Sequence, residues 1–253
     1  MKNLKLNFKH WIVIAVPFLL SFLLYHKKKV TVYLIGDSTM CVYRPEQSPL
    51  AGWGMPFAKF FNSTVTVKNR AEGGESTRTF IEENLWKPVA DSLRPGDYLL
   101  IQFGHNDEVP SKKSYTTEKD YKANLIRFIT EARNKKANPV LITPVARRKF
   151  DASGNIQDVH EVYSALVRNV AVEYRVPLID LNKKSQQLLQ ELGPEKSKLL
   201  FLALGENPYY PKGEEDITHF NALGARKIAE IVLAEIKVLK LELANRVVKP
   251  QSK

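Results

Sequence analysis

The chain has 253 residues, 44% of them hydrophobic, with 12 Gly and 14 Pro, which suits one sizeable α/β domain and excludes disordered and fibrous classes. Its formal charge of +11 would suggest a polyanionic partner, but residues 1–29 hold six lysines (Lys2, Lys5, Lys9, Lys27, Lys28, Lys29) and no acid, so only +5 belongs to the remainder. With no aromatic-rich RNA motif and no Cys/His zinc spacing, nucleic acid is not an expected partner, and a single cysteine, Cys41, excludes an intrachain disulfide.

In chain order, Lys2, Lys5 and Lys9 precede an uncharged run from Trp11 to Tyr25 that ends at His26 and Lys27–Lys29. The run is shorter than the ~20 residues of a spanning helix and near the length of a secretory core, so residues 1–29 read as a signal peptide. No small-residue cleavage site follows and basic residues flank its far side, so an uncleaved membrane tether through residues 11–25 stays open. Either reading places the protein outside the cytoplasm, in a periplasmic or extracellular space.

From Val30 the pattern alternates short apolar runs with segments of 3.6 periodicity, the mark of βαβ units. Strands are expected at Val30–Ile35, Val65–Lys68, Tyr98–Phe103, Val140–Thr143 and Pro177–Leu181. Helices are expected at Met55–Phe61, Glu118–Lys136, His160–Tyr174 and Ala222 to about Leu243. This predicts one doubly wound, flavodoxin-like α/β domain over residues 30–243, a five-stranded parallel sheet with helices on both faces, followed by a frayed polar tail over 244–253. A monomer is expected. Two polar stretches, Glu108–Thr117 and Leu204–Glu215, read as loops over the carboxyl ends of the strands, where open α/β sheets hold their ligands.

Four motifs fall at those ends. LIGDSTM (Leu34–Met40) places Ser38 just beyond the first strand, although Asp37, Ser38 and Thr39 would equally cap a following helix. DITHF (Asp216–Phe220) sets an acid three residues before a histidine, the spacing for a carboxylate that orients an imidazole base; a helix cap or metal pair is the alternative. A serine hydroxyl is a weak nucleophile at neutral pH and needs such a base. NRAEGGESTRTF (Asn69–Phe80) and QFGHND (Gln102–Asp107) supply glycine-freed N–H groups and an asparagine amide, as an oxyanion hole requires, though both are also ordinary loop chemistry.

In their order and placement the four motifs resemble the sequence blocks of the SGNH (GDSL-like) hydrolases, over about Val30–Lys240. The resemblance implies the SGNH hydrolase fold, a Ser38–His219–Asp216 triad, an oxyanion hole from Gly74, Asn106 and the Ser38 N–H, and no metal or organic cofactor. Within the superfamily, GDSTM, the Asn69–Thr79 stretch and FGHND look like rhamnogalacturonan acetylesterases and related carbohydrate acetylesterases. That implies a serine esterase removing O-acetyl groups from plant cell-wall polysaccharide, pectic first and xylan second. A lipid or thioester hydrolase, a membrane-tethered glycan O-acetyltransferase and a non-catalytic glycan-binding module are the alternatives.

Three further residues are candidates for sugar contact. Arg78 could meet a galacturonate carboxylate or pair with an acid such as Asp37. Trp53 could offer a stacking face or be buried, and His105 could line the pocket wall. His160 reads as a surface or interhelical residue, and Cys41 as a small apolar wall residue.

Overall fold

The computed structural model describes residues 28–206 and 211–248. The export reading of residues 1–29 therefore lies outside the described residues, apart from Lys28 and Lys29. Among the described residues no helix is long and apolar enough to cross a membrane.

The sheet is five-stranded and wholly parallel, with β1 (Val30–Gly36), β2 (Val65–Asn69), β3 (Tyr98–Gln102), β4 (Asn138–Ile142) and β5 (Leu178–Ile179) in the order β2-β1-β3-β4-β5. Alternate residues of each central strand point to opposite faces. On β1, Val30, Val32 and Leu34 join one core with α1 (Gly54–Phe57), α6 (Leu181–Ser197) and α7 (Ala222–Val238). Tyr33 and Ile35 join the other, with α2 (Thr77–Glu82), α3 (Trp86–Ser92), α4 (Glu118–Asn134) and α5 (Glu161–Glu173). Because both faces are covered, β1 and β3 are near-continuous apolar runs, as buried parallel strands must be.

The second core centres on Phe128, whose ring lies 4.9 Å from Trp86, 5.9 Å from Phe103 and 6.5 Å from Phe80. This packing fixes the far end of β3, from which the loop bearing Asn106 leaves. The order reverses between β1 and β3, and the crevice at that switch point opens beyond their carboxyl ends.

Several bounds differ from expectation. Helices α2, α3 and α6 were not anticipated; β5 is only two residues long, and Asp180 caps α6 immediately after it, accepting from Lys183 N at 3.4 Å. Helix α6 breaks at Gly193, where φ is 71°. The stretch read as the loop Leu204–Glu215 is bounded by an antiparallel pair, β6 (Phe201–Leu204) and β7 (Glu214–Phe220). The tail is not frayed through Val248. Buried Arg246 donates to Lys28 O at 2.6 Å and to Glu242, and Val248 N donates to Phe60 O at 2.9 Å.

Candidate active site

Ser38 is held by the turn that ends β1. A side chain at Gly36 would place its Cβ 2.4 Å from Gln102 O on the neighbouring strand, so only glycine lets the chain pass. Buried Asp37 then organises the turn. Its Oδ1 accepts from Thr39 N (3.0 Å) and Thr39 Oγ1 (2.7 Å), and its carbonyl accepts from Met40 N and Cys41 N, both at 3.1 Å. Burial pushes the Asp37 carboxyl above its ordinary range, partly offset by the Thr39 hydrogen bonds. Beneath the turn, Gln102 Nε2 donates to Thr39 Oγ1 at 2.7 Å, and Trp53 Nε1 donates to Gln102 Oε1 at 2.8 Å. Trp53 is 0% exposed, so it offers no sugar-stacking face; it braces the Ser38 turn from inside.

The opposite wall is β7. Ser38 Oγ lies 3.0 Å from His219 Nε2, and His219 Nδ1 lies 2.6 Å from Asp216 Oδ2. Asp216 Oδ1 accepts from the backbone N–H of Thr218 (2.6 Å) and His219 (2.9 Å), which folds the segment so that acid and ring face one another. Burial alone would raise the Asp216 carboxyl, but the hydrogen bond from the His219 ring and those two N–H groups hold it at about 2. Asp216 does not cap the last helix: Asn221 does, its Oδ1 accepting from Leu223 N (3.0 Å) and Gly224 N (3.1 Å).

The third side is built from the β2–α2 and β3–α4 loops. The Gly73 Cα lies close enough that a Cβ there would sit 3.9 Å from Ser38 Cβ, and Gly74 has φ +87°, a conformation that disfavours any other residue. Neither the Gly74 N–H nor the Ser38 N–H meets an acceptor among the described residues. Buried Asn106 donates from Nδ2 to Glu75 O at 2.9 Å, which joins the two loops and leaves one amide hydrogen unused, while Lys112 Nζ donates to Asn106 Oδ1 at 2.9 Å.

Asp107 anchors the same loop. Its Oδ1 accepts from Thr77 N (2.9 Å) and Thr77 Oγ1 (2.6 Å), its Oδ2 has no hydrogen-bond partner among the described residues, and burial pushes the carboxyl up to about 7. An unfolded aspartate ionises near pH ~4, so between there and about 7 the folded chain holds the extra proton. Its contribution to stability is thus complete below the unfolded value and is lost as pH rises through about 7. In Asp107→Asn, which has no such ionisation, the difference in melting temperature from wild type should shift in the variant's favour from pH ~4 to pH ~7.5. A pH-independent difference in thermal scans would refute this.

Arg78 is committed to structure. Its Nη1 meets Glu82 Oε2 at 2.5 Å, Nε donates to Tyr115 O at 3.1 Å, and Nη2 donates to Lys113 O, so it pins the Glu108–Thr117 loop and pairs with Glu82, not Asp37. His105 is a buried wall residue, kept neutral because burial holds its pKa well below the ordinary value. Its ring centroid is 4.3 Å from that of His160, which is also buried and whose Nδ1 lies 2.8 Å from a Glu108 carboxylate oxygen. Burial lifts the Cys41 thiol to about 12, which leaves it protonated at neutral pH. No group of three or more His, Cys, Asp or Glu among the described residues is arranged to hold a metal ion. Two polar residues at the site carry no motif signal: Lys112 on Asn106, and Arg147, which donates to His105 O at 3.3 Å and to Thr218 Oγ1.

Comparison with known proteins adds the following. Residues 34–227 match the GDSL-like lipase/acylhydrolase family. The chain is 42% identical to rhamnogalacturonan acetylesterase RhgT of Bacillus subtilis strain 168, over 90% of this chain and 98% of that protein. It is 36% identical to the probable rhamnogalacturonan acetylesterase YesY of the same organism, over 86% and 97%. Among solved structures, B. subtilis YxiM superposes with a TM-score of 0.75 at 30% identity; the match covers 85% of this chain and spans 58% of that one. An acetylxylan esterase from Geobacillus stearothermophilus shares the fold, with a TM-score of 0.60 at 16% identity over 88% and 98%.

Proposed function

The chain belongs to the GDSL-like lipase/acylhydrolase family, and from that premise we propose that it is a carbohydrate acetylesterase working through Ser38, His219 and Asp216. The observation that carries this reading is the continuous hydrogen-bonded path from Ser38 Oγ through the His219 ring to Asp216, with steps of 3.0 and 2.6 Å.

Such a path makes a serine nucleophilic. His219 Nε2 takes the Oγ proton as Ser38 attacks the acetyl carbonyl, and Asp216 keeps the Nδ1 proton in place and stabilises the imidazolium that forms. The carbonyl oxygen becomes an anion, for which the free N–H groups of Ser38 and Gly74 and the unused Asn106 amide hydrogen are the available donors. His219 then protonates the departing sugar oxygen. Water entering by the same route attacks the acetyl-enzyme and loses its proton to His219, which returns that proton to Ser38 Oγ as the acyl bond breaks and acetate leaves. His219 and Asp216 are about one-third and one-fifth exposed, so water reaches the base.

Each oxyanion donor typically contributes a factor of about 10²–10³ to kcat. Asn106→Ala should therefore lose about that factor, mainly in kcat, in steady-state kinetics on an aryl acetate. A loss confined to KM would place Asn106 in ground-state binding instead.

For substrate, the two B. subtilis relatives named for rhamnogalacturonan deacetylation support a pectic polysaccharide; xylan is the second candidate. A polymer of that kind does not cross a membrane, which agrees with residues 1–29 acting as an export signal or tether. The test is acetate release from acetylated rhamnogalacturonan and acetylated xylan, set against release of the aryl alcohol from its long-chain acyl ester. Release from the first at the highest kcat/KM is expected; preference for the long-chain ester would reject the carbohydrate reading.

A further inference from the structure

Five arginines of the described residues are buried or half-buried: Arg78, Arg147, Arg148, Arg168 and Arg246. Four have a carboxylate, since Arg78 pairs with Glu82, Arg148 with Glu215, Arg168 with Asp180 and Arg246 with Glu242. That is the expected state, because withdrawing a guanidinium from water without a counter-charge is costly. Arg147 is the exception. Its two hydrogen bonds go to neutral acceptors, the carbonyl of His105 and the hydroxyl of Thr218, and it forms no ion pair among the described residues.

Its position gives the missing charge a meaning. Thr218 directly precedes His219, and His105 directly precedes Asn106, so the guanidinium bridges the residue before the base and the residue before the oxyanion amide. Only two of its five N–H donors are used, and the residue is half-buried, not sealed from solvent. On the same loop, Lys112 Nζ rests on Asn106 Oδ1, and it too forms no ion pair among the described residues.

From this we infer that Arg147 is the carboxylate-recognising residue of the substrate site, holding the carboxylate of a uronic acid residue next to the acetyl ester, with Lys112 adding a second positive charge. The inference rests on the carbohydrate acetylesterase reading and assigns a residue of this chain to the acidic part of the pectic substrate proposed there. The guanidinium fork suits a carboxylate, and the hydrogen bond is charge-assisted.

The test uses acetylated galacturonate oligosaccharides in two forms, with free carboxylates and with the same carboxylates methyl-esterified. Wild type should favour the free acid by roughly 10- to 100-fold in kcat/KM, the effect of losing a hydrogen bond to a charged group. In Arg147→Gln that ratio should fall to near one, chiefly through KM, while Arg147→Lys should retain part of it and added salt should weaken it in wild type. If Arg147 only tethers the two loops, Arg147→Gln will slow both substrates alike and leave the ratio intact, which overturns the inference. Equal wild-type rates on the two forms, with acetate still released, overturn it while leaving the acetylesterase reading standing. No acetate release from any glycan overturns both.

Discussion

Ser38→Ala should lower kcat on any acetate ester by about 10⁴- to 10⁶-fold, the range seen when the nucleophile of a serine–histidine–aspartate site is removed. The expectation rests on a short chain of causes. Gly36 admits the tight turn, Asp37 and Thr39 lock it, and Tyr43 Oη donates to Ser38 O at 3.1 Å, which leaves the Oγ directed at His219. The nearby Cys41 thiol cannot replace the oxygen, since it is buried and protonated. Among the described residues the Ser38 hydroxyl has no structural partner besides His219, so the variant should melt within about 2 °C of wild type. Measured kcat alongside a thermal scan separates lost chemistry from lost fold; activity retained within tenfold would show that another group attacks.

Asp216→Asn should cost about 10⁴ in kcat while preserving the geometry. The local hydrogen bonding dictates why. Asp216 Oδ1 accepts two backbone N–H groups, so an asparagine must place its carbonyl oxygen there and turn its NH₂ toward His219 Nδ1. The ring would then carry its proton on Nε2, facing Ser38, and could not accept the hydroxyl proton. Asp216→Ala frees the ring from that wrong tautomer but also removes its orienter and the acceptor for Thr218 N and His219 N, so it should lose stability as well as rate. An Asn variant with near-normal kcat would mean that Asp216 serves only the fold of β7.

The parts of this site that could be read from sequence are those whose chemistry is local. Ser38 and Gly74 each stand in a short segment whose glycines and polar residues announce a strand ending in a turn, and Asp216 and His219 lie within hydrogen-bonding reach through three residues of chain. The five strands were visible because buried parallel strands are apolar throughout. The β6–β7 pair was not, because Glu214, Glu215 and Asp216 open β7 with three acids, and its pairing with Phe201–Leu204 is set by contacts that sequence spacing does not show. Helix α6 was hidden by a two-residue β5 that passes straight into Asp180, its cap. The alternatives for Trp53 and Arg78 stayed open in the sequence for a related reason: whether Trp53 faces solvent, or Arg78 is free, depends on Gln102 from another strand and on the loop at Lys113–Tyr115. Arg147 is distinguished by the absence of a counter-charge, a property that exists only once the chain is folded.

The central claim is that Ser38 is the activated nucleophile of this fold, and a fluorophosphonate probe tests it most directly, since such a reagent traps only a serine paired with a working base. Intact-protein mass spectrometry followed by peptide mapping should show one equivalent bound, on the peptide carrying Ser38, with esterase activity falling in step and no labelling of His219→Ala. Labelling at another residue, or full modification of Ser38 with activity retained, would contradict the account.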